Sequence, residues 1–301
     1  MTRSTTIAAL LGGAATALCA EHAGQLLQAS LPDAAAGDMG ATLEPGERYA
    51  LQRGVAIVPV RGLLTANMFA FERYMGWSTY HGIADTLADL MASDDCAAAV
   101  LEIDSPGGMV VGIDAAARAI AAFRAVKPVY ALVNPLATSA AYWLASQATD
   151  VTMTPGAFVG SIGTQVMASS PVQPGSHGDQ SFVFRSSFAR AKNADAATEK
   201  GAALIQSQID RMEAEFHAAI AAGRGIAPAD LAARISATDD PADGGGLFTF
   251  ADARSRGLAD AEMTRAAFYE QTLARHAPTP RPAGARAFGA RAAAAAAAAA
   301  C

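Results

Sequence analysis

Cysteine is scarce in this chain of 301 residues. Cys19, Cys96 and Cys301 stand far apart and form no CxxC pair, which argues against a disulfide framework or a zinc site and fits a reducing compartment. Charged residues make up 17% and aromatic residues 7% of the chain. Long apolar runs are absent as well. The best one, Ile7 to Cys19, is too short and too rich in Gly and Ala for a good membrane span, and no other segment is long enough to cross. A net charge of −6 with no basic block before the C-terminal tail excludes an obvious nucleic-acid surface. Lysine is as scarce as cysteine: among 22 basic positions only Lys127, Lys192 and Lys200 are lysine.

What is present is alanine, within a hydrophobic share of 52%, the composition of a helix-rich, closely packed globular protein. Residues 1–48 read as an N-terminal helical segment and linker. The stretch "MTRSTTIAALLGGAATALCAEHA" suits an amphipathic or buried helix packing on the domain; the alternative is a signal peptide. The Gly-, Pro- and acid-rich run from 29 to 48 reads as the linker. One domain is expected over 49–276. From 277, the Pro-, Ala- and Arg-rich run to residue 301 has no packing pattern and is expected to be a disordered tail.

Within the domain, strand and helix signals alternate. Val55–Val60, 97–104, 128–133 and "DVTMTP" read as strands. Between them lie helical patterns such as Ile83, Leu87, Leu90 and Met91, and "GIDAAARAIAAFRAV". "QSFVFRSS" reads as a further strand, and a long helix follows with Leu204, Ile205, Ile209, Met212 and Phe216 on one face. The alternation predicts an α/β fold with largely parallel strands.

Two stretches carry chemistry. "LEIDSPGGMVVG" ends a strand in Pro-Gly-Gly, and "NPLATSAAYWLAS" places Ser139 at a helix start. Taken singly, the first is a plain turn and the second a capping or packing serine. Taken together, they describe a nucleophile facing an oxyanion hole built from the amides of Gly107 or Gly108 and of Ala140. A nucleophilic serine also needs a base. A lysine serves when burial lowers its pKa from about 10.4 towards 7–8, whereas arginine stays protonated. Lys127 precedes a proline and reads as a loop residue, and Lys200 opens the long helix. Lys192, in "ARAKNAD", lies where a loop can fold back over Ser139. A Ser/His pairing would instead draw on His177 in "PGSHGDQ".

The blocks "IDSPGGMVVG", "PVYALVNPLATSAAYWLAS", "GAFVGSIGT" and "FADARSRGLADA" resemble the signal-peptide-peptidase-A family of Ser/Lys peptidases, and most of all its phage branch of capsid assembly (head maturation) proteases. The resemblance runs from about Tyr49 to Ala261. It implies a ClpP/crotonase-like fold with repeated β-β-α units, Ser139 as nucleophile, Lys192 as general base, and an oxyanion hole near Gly108 and Ala140. It implies neither cofactor nor metal. The substrates it implies are scaffold, capsid and portal-associated proteins, and the chain itself. It further implies a homo-oligomer, no nucleic acid, no membrane, and a place in the host cytoplasm or procapsid interior. Where the family leads into its lysine through an "SGxHK"-like stretch, this chain has "SSFARAK". Other readings of the same pattern are a host membrane-anchored signal-peptide peptidase, an acyl-CoA enzyme of the crotonase type, and a non-catalytic assembly protein.

The tail generates the first prediction. Deleting residues 277–301 is expected to leave the thermal midpoint within a few degrees, because the segment has no apolar face to bury. Differential scanning calorimetry of the truncated chain checks this, and a drop of many degrees would show that the tail packs.

Overall fold

Short runs in which alternate side chains are buried on opposite faces build the centre of the fold. The computed structural model describes residues 6–11, 14–30, 43–168, 186, 189, 191–192 and 194–277. Helix α1 (Ile7–Leu10), strand β1 (Thr16–Leu18) and helix α2 (Ala20–Gln28) come first. Next is a hairpin of β2 (Ala50–Gln52) and β3 (Val55–Arg61), turned by Arg53 and Gly54. Both turn residues have positive φ, 49° and 81°, as a two-residue turn matched to the strand twist requires. Helices α3 (Phe69–Met75) and α4 (Tyr80–Ala92) lead to strand β4 (Ala98–Ser105), the short strand β5 (Gly107–Met109) and helix α5 (Ile113–Val126). This is one β-β-α unit. Strand β6 (Val129–Thr138), helix α6 (Ala140–Ser146) and strands β7 (Asp150–Met153) and β8 (Phe158–Gly160) continue the alternation. Beyond them lie helices α7 (Glu199–Arg224) and α8 (Pro228–Ile235), strand β9 (Leu247–Phe248), helix α9 (Phe250–Ser255), strand β10 (Ala261–Glu262) and helix α10 (Arg265–His276).

The main sheet has the order β10-β7-β6-β4-β3-β2, and its central pairings are parallel. Strand β6 serves two neighbours in succession. Tyr130–Val133 pairs with β7, and Leu136–Thr138 pairs with β8. Both faces of the sheet are covered, as parallel sheets require. Ala99, Leu101, Ile103, Val129, Ala131 and Val133 face the large core under α4, α5 and α6. Ala98, Val100, Tyr130 and Leu132 face the other way, onto Phe268 of α10. The α/β class expected from the alternation is the class observed.

Several elements were invisible in the apolar pattern. Helix α10 offers only Phe268, Tyr269 and Leu273 to the sheet among polar neighbours, so its sequence looks like surface. Strand β5 was expected as a turn, because Gly-Gly has no side chains from which to read alternation. "QSFVFRSS", apart from Ser186, and the tail from 278 lie outside the described residues, as does most of the expected linker. Lys127, expected as a plain loop residue, holds the end of α4: its Nζ donates to Leu90 O at 2.9 Å and to Ser93 O at 2.7 Å. Those are carbonyls that a helix terminus leaves without partners.

Helix α10 is tied to the sheet by a buried carboxylate. Arg265 donates to Glu102 through Nε at 2.5 Å and through Nη2 at 3.0 Å. Tyr269 Oη donates at 2.7 Å and Asn134 Nδ2 at 3.1 Å. Burial alone raises the Glu102 pKa, but the hydrogen bonds from Arg265, Tyr269 and Asn134 outweigh it and bring the pKa down to about 2. A carboxylate depressed on folding stabilises the fold above its unfolded pKa of about 4.3, and that stabilisation disappears as pH falls towards the folded value. The thermal midpoint is therefore expected to fall between about pH 4.5 and pH 2. Glu102→Gln should flatten this fall and cost about 1–3 kcal/mol at neutral pH, by leaving Arg265 and Tyr269 without their charged partner. Calorimetry across that range checks both effects.

Candidate active site

The junction between β6 and α6 sets the site. Thr138 ends the strand, Ala140 starts the helix, and Ser139 between them has φ 56° and ψ −121°, a backbone region that side-chain-bearing residues rarely adopt. The turn is held from both directions. Ser139 N–H donates to Gly160 O at 2.7 Å, and Trp143 N–H donates to Ser139 O at 3.0 Å. All seven residues of α6 are buried. Tyr142 Oη donates to Leu258 O at 2.8 Å, and the Trp143 ring stacks on Phe216 of α7 with centroids 4.6 Å apart. A helix fixed on every side cannot relax, so Ser139 keeps its strained backbone.

Ser139 is 1% exposed, and its Oγ has no hydrogen-bond partner among the described residues. A buried hydroxyl without a partner costs about 1–3 kcal/mol; among the described residues Thr65, Thr86 and Thr138 carry others, and Ser139 differs from them in its strained backbone. The surface opposite it is β5. Gly107 has φ 102°, and a side chain there would start against Ala17 O, with Ala140 N and Ser139 Cβ each 3.0 Å away. Only glycine allows the strand to lie this close to the serine. The Gly107 N–H donates to Ser105 Oγ at 3.1 Å, and Ser105 in turn donates to Gly62 O at 2.6 Å. Gly107 thus serves by lacking a side chain, while its amide points inward. Leu64 flanks β5 on one edge, donating to Gly107 O and accepting from Met109 N–H, both at 2.9 Å. The Gly108 amide faces the opposite edge. As the first residue of α6, Ala140 has an amide without an acceptor inside the helix.

The structure thus brings Ser139, Gly107, Gly108 and Ala140 together. It places Lys192 in an exposed turn, so the burial expected for a lysine base is not supplied by the single chain. Lys200 is exposed in the first turn of α7. His177 lies outside the described residues. His81 is exposed, with Nε2 3.2 Å from Asp85. His217 is half-buried, and burial holds its imidazole below the usual histidine range. The sequence reading missed Ser105 and Gly160. The "GSIG" block was the available signal for Gly160, but a backbone carbonyl acceptor leaves no residue-type signature. The ligand atoms of Cys19, Glu21 and His22 lie within 4.8 Å of one another, the one such grouping of three among the described residues.

Fold and site together define a class: α/β proteins that present a strained serine at a strand-to-helix turn to a glycine strand. Within that class the chain belongs to peptidase family S49, whose family model matches residues 121–276. It is 37% identical over 163 residues to Capsid assembly protease C of Escherichia phage lambda, across 49% of this chain and 37% of that protein. It is 36% identical over 122 residues to Head-tail preconnector protein GP5 of Enterobacteria phage P21, across 40% of this chain and 24% of that one. The matched stretches therefore span well under half the length of either relative. Among solved structures, an enoyl-CoA hydratase from Mycobacterium avium subsp. paratuberculosis K-10 aligns with a TM-score of 0.42 at 18% identity, over 82% of this chain and 84% of that one. The 1510-N membrane-bound stomatin-specific protease S97A mutant aligns with a TM-score of 0.41 at 14% identity, over 71% and 83%.

Gly107→Ala tests the geometry. It sets a methyl group against Ala17 O, Ala140 N and Ser139 Cβ at a backbone angle unfavourable to alanine. The expected result is a loss of about 1–3 kcal/mol of stability together with loss of Ser139 reactivity towards an acylating probe. Denaturant titration and probe labelling of the same preparation check the two parts.

Proposed function

We propose that the chain is a serine endopeptidase of phage head assembly. The observation that carries this reading is Ser139: buried, strained and unpartnered at Oγ among the described residues, with Ala140 and the Gly107 end of the glycine strand packed beside it. Membership of peptidase family S49 and the names of the two phage relatives point the same way. In this reading Ser139 Oγ attacks a peptide carbonyl, and the Gly108 and Ala140 amides stabilise the oxyanion. The strain at Ser139 keeps Oγ aimed at the carbonyl, so no reorganisation is needed at the moment of reaction. The amine leaves with the proton, and water hydrolyses the acyl-enzyme. The residues named here perform this without a metal or an organic cofactor.

Lys192 is the proposed base. A lysine accepts a proton only when its charge is disfavoured by desolvation, and Lys192 is exposed in the single chain. The dyad therefore requires Lys192 to be covered in the working form, and we assign that covering to assembly of several copies. The proposed substrates are scaffold, capsid and portal-associated proteins, met in the host cytoplasm or inside the procapsid. Among the described residues, no helix is long and apolar enough to cross a membrane.

The experiment is labelling of the protein with a fluorophosphonate, with peptide hydrolysis followed in parallel. Ser139→Ala is expected to abolish both. Lys192→Met and Lys192→Arg are each expected to lower hydrolysis by about 10⁴-fold or more, the scale for removing one member of a catalytic unit, because guanidinium does not deprotonate. Lys200→Ala should remain within a few-fold of the parent. An active Lys192→Met enzyme would remove the dyad and leave Ser139 standing. Light scattering at micromolar concentration is expected to show an oligomer, and a monomer that nonetheless hydrolyses peptides would remove the role given to assembly.

A further inference from the structure

The glycine strand opposite Ser139 already holds a peptide, and that peptide is the chain's own N-terminal segment. Strand β1 runs antiparallel to β5, with Thr16 opposite Met109, Ala17 opposite Gly108 and Leu18 opposite Gly107. Its other edge is held too. Thr16 N–H donates to Gln165 O at 2.9 Å, Gln165 N–H donates to Thr16 O at 2.8 Å, and Gln165 Nε2 donates to Leu18 O at 3.1 Å. A short segment hydrogen-bonded along both edges is how extended peptides are bound: the backbone supplies affinity, and alternate side chains supply specificity. Clefts of 660 Å³ and 530 Å³ adjoin the segment that follows, the first lined in part by His22 and Pro106, the second in part by Leu18 and Cys19.

The register sets one carbonyl on the Gly108 amide. Hydrogen-bonded and non-hydrogen-bonded pairs alternate along an antiparallel ladder. Cys19 N–H donates to Pro106 O at 2.8 Å, and Val110 N–H donates to Ala15 O at 3.1 Å. The Ala17–Gly108 pair lies midway between these and is therefore hydrogen-bonded as well, with the Gly108 N–H on the Ala17 carbonyl. That same oxygen lies against Gly107 at the point from which Ala140 N and Ser139 Cβ are each 3.0 Å away. The Ala17 carbonyl thus takes the amide of one proposed oxyanion donor, Gly108, and approaches the same face of Gly107 that Ala140 N and Ser139 Cβ approach. Side-chain placement agrees. Ala17 is fully buried and Ala15 partly buried, both against the main core, whereas Leu18 points into the separate N-terminal cluster.

We propose that Ala15–Leu18 is a substrate segment bound in cis, and that Ala17–Leu18 is the bond at which the enzyme cuts itself. This rests on the peptidase reading above. Ser139 Oγ bonds to the Ala17 carbonyl carbon and gives its proton to the base. The bond from that carbon to the Leu18 nitrogen breaks, and the nitrogen takes the proton to leave as an amine. Water then splits the ester, restoring the serine hydroxyl and leaving a carboxylate on Ala17. Until the cut is made, β1 fills the groove; afterwards the groove is free for other chains. The register also assigns specificity: a small residue at the acyl position and another two residues earlier, the pattern Ala-x-Ala.

The test begins with the full chain and Ser139→Ala, expressed in parallel and analysed by intact mass and N-terminal sequencing. The parent is expected to yield a new N-terminus at Leu18, and Ser139→Ala to remain uncut. A synthetic peptide of residues 11–24 should be cut after Ala17, and the same peptide with arginine at that position about 10-fold more slowly or worse, since the acyl pocket holds a methyl group. Thr16→Pro, which removes the N–H given to Gln165, should speed fluorophosphonate labelling of Ser139. A chain that stays intact, or is cut only at other bonds, while Ser139 is still acylated overturns the in-cis inference and leaves the peptidase reading in place. Absence of acylation in both the parent and Thr16→Pro overturns the peptidase reading, and the inference with it.

Discussion

The backbone of Ser139 is the constraint on which the rest of the structure turns. A serine at φ 56° and ψ −121° costs on the order of 1–3 kcal/mol and survives only where its surroundings leave no alternative. Here the surroundings are Gly160, which accepts from the Ser139 amide, and a helix with no exposed residue. Much of the fold can be understood as support for that turn. The second half of β6 pairs with β8, which carries Gly160 to the serine. Helix α7 sends Phe216 onto Trp143, and the loop after α9 takes the Tyr142 hydroxyl through Leu258 O.

Glycine performs the complementary task. Strand β5 approaches within contact distance of the serine because Gly107 has no side chain and adopts φ 102°. Gly108 is equally constrained, since a side chain there would run into the backbone of Leu64. With Leu64 on one edge of β5, the other edge is free to take an extended chain. Strand β1 takes it, so the geometry that sets the glycine strand against Ser139 also presents an edge for an extended chain.

The parts of the site differ in how legible they were. Ser139, Gly107, Gly108 and Ala140 could be singled out because residue type and position carry the signal: a serine among alanines at a helix start, and glycines ending a strand. Lys192 was singled out by the scarcity of lysine, its place in a loop and the family resemblance. Whether such a lysine is buried depends on packing around a polar loop, which no periodicity records, and here it is exposed. Strand β1 was read as part of a helical segment because Thr16, Ala17 and Leu18 stand in an Ala-rich run with no alternation to mark a strand. Pairing with β5 and Gln165 outweighs that preference.

Local pattern thus determined the elements. Short apolar runs in β4 and β6, helical spacing in α4 and α7, and glycine at the tight turns follow from side-chain pattern and backbone sterics, which act over a few residues. Tertiary structure alone decided which edge of β5 stays open, which chain lies on it, and whether a lysine is sheltered. It also decided that the Gly107 amide turns inward to Ser105 while the Gly108 amide turns outward. These outcomes depend on hydrogen bonds between residues tens of positions apart, and backbone donors and acceptors are the same in every residue, so a linear reading has nothing by which to tell them apart.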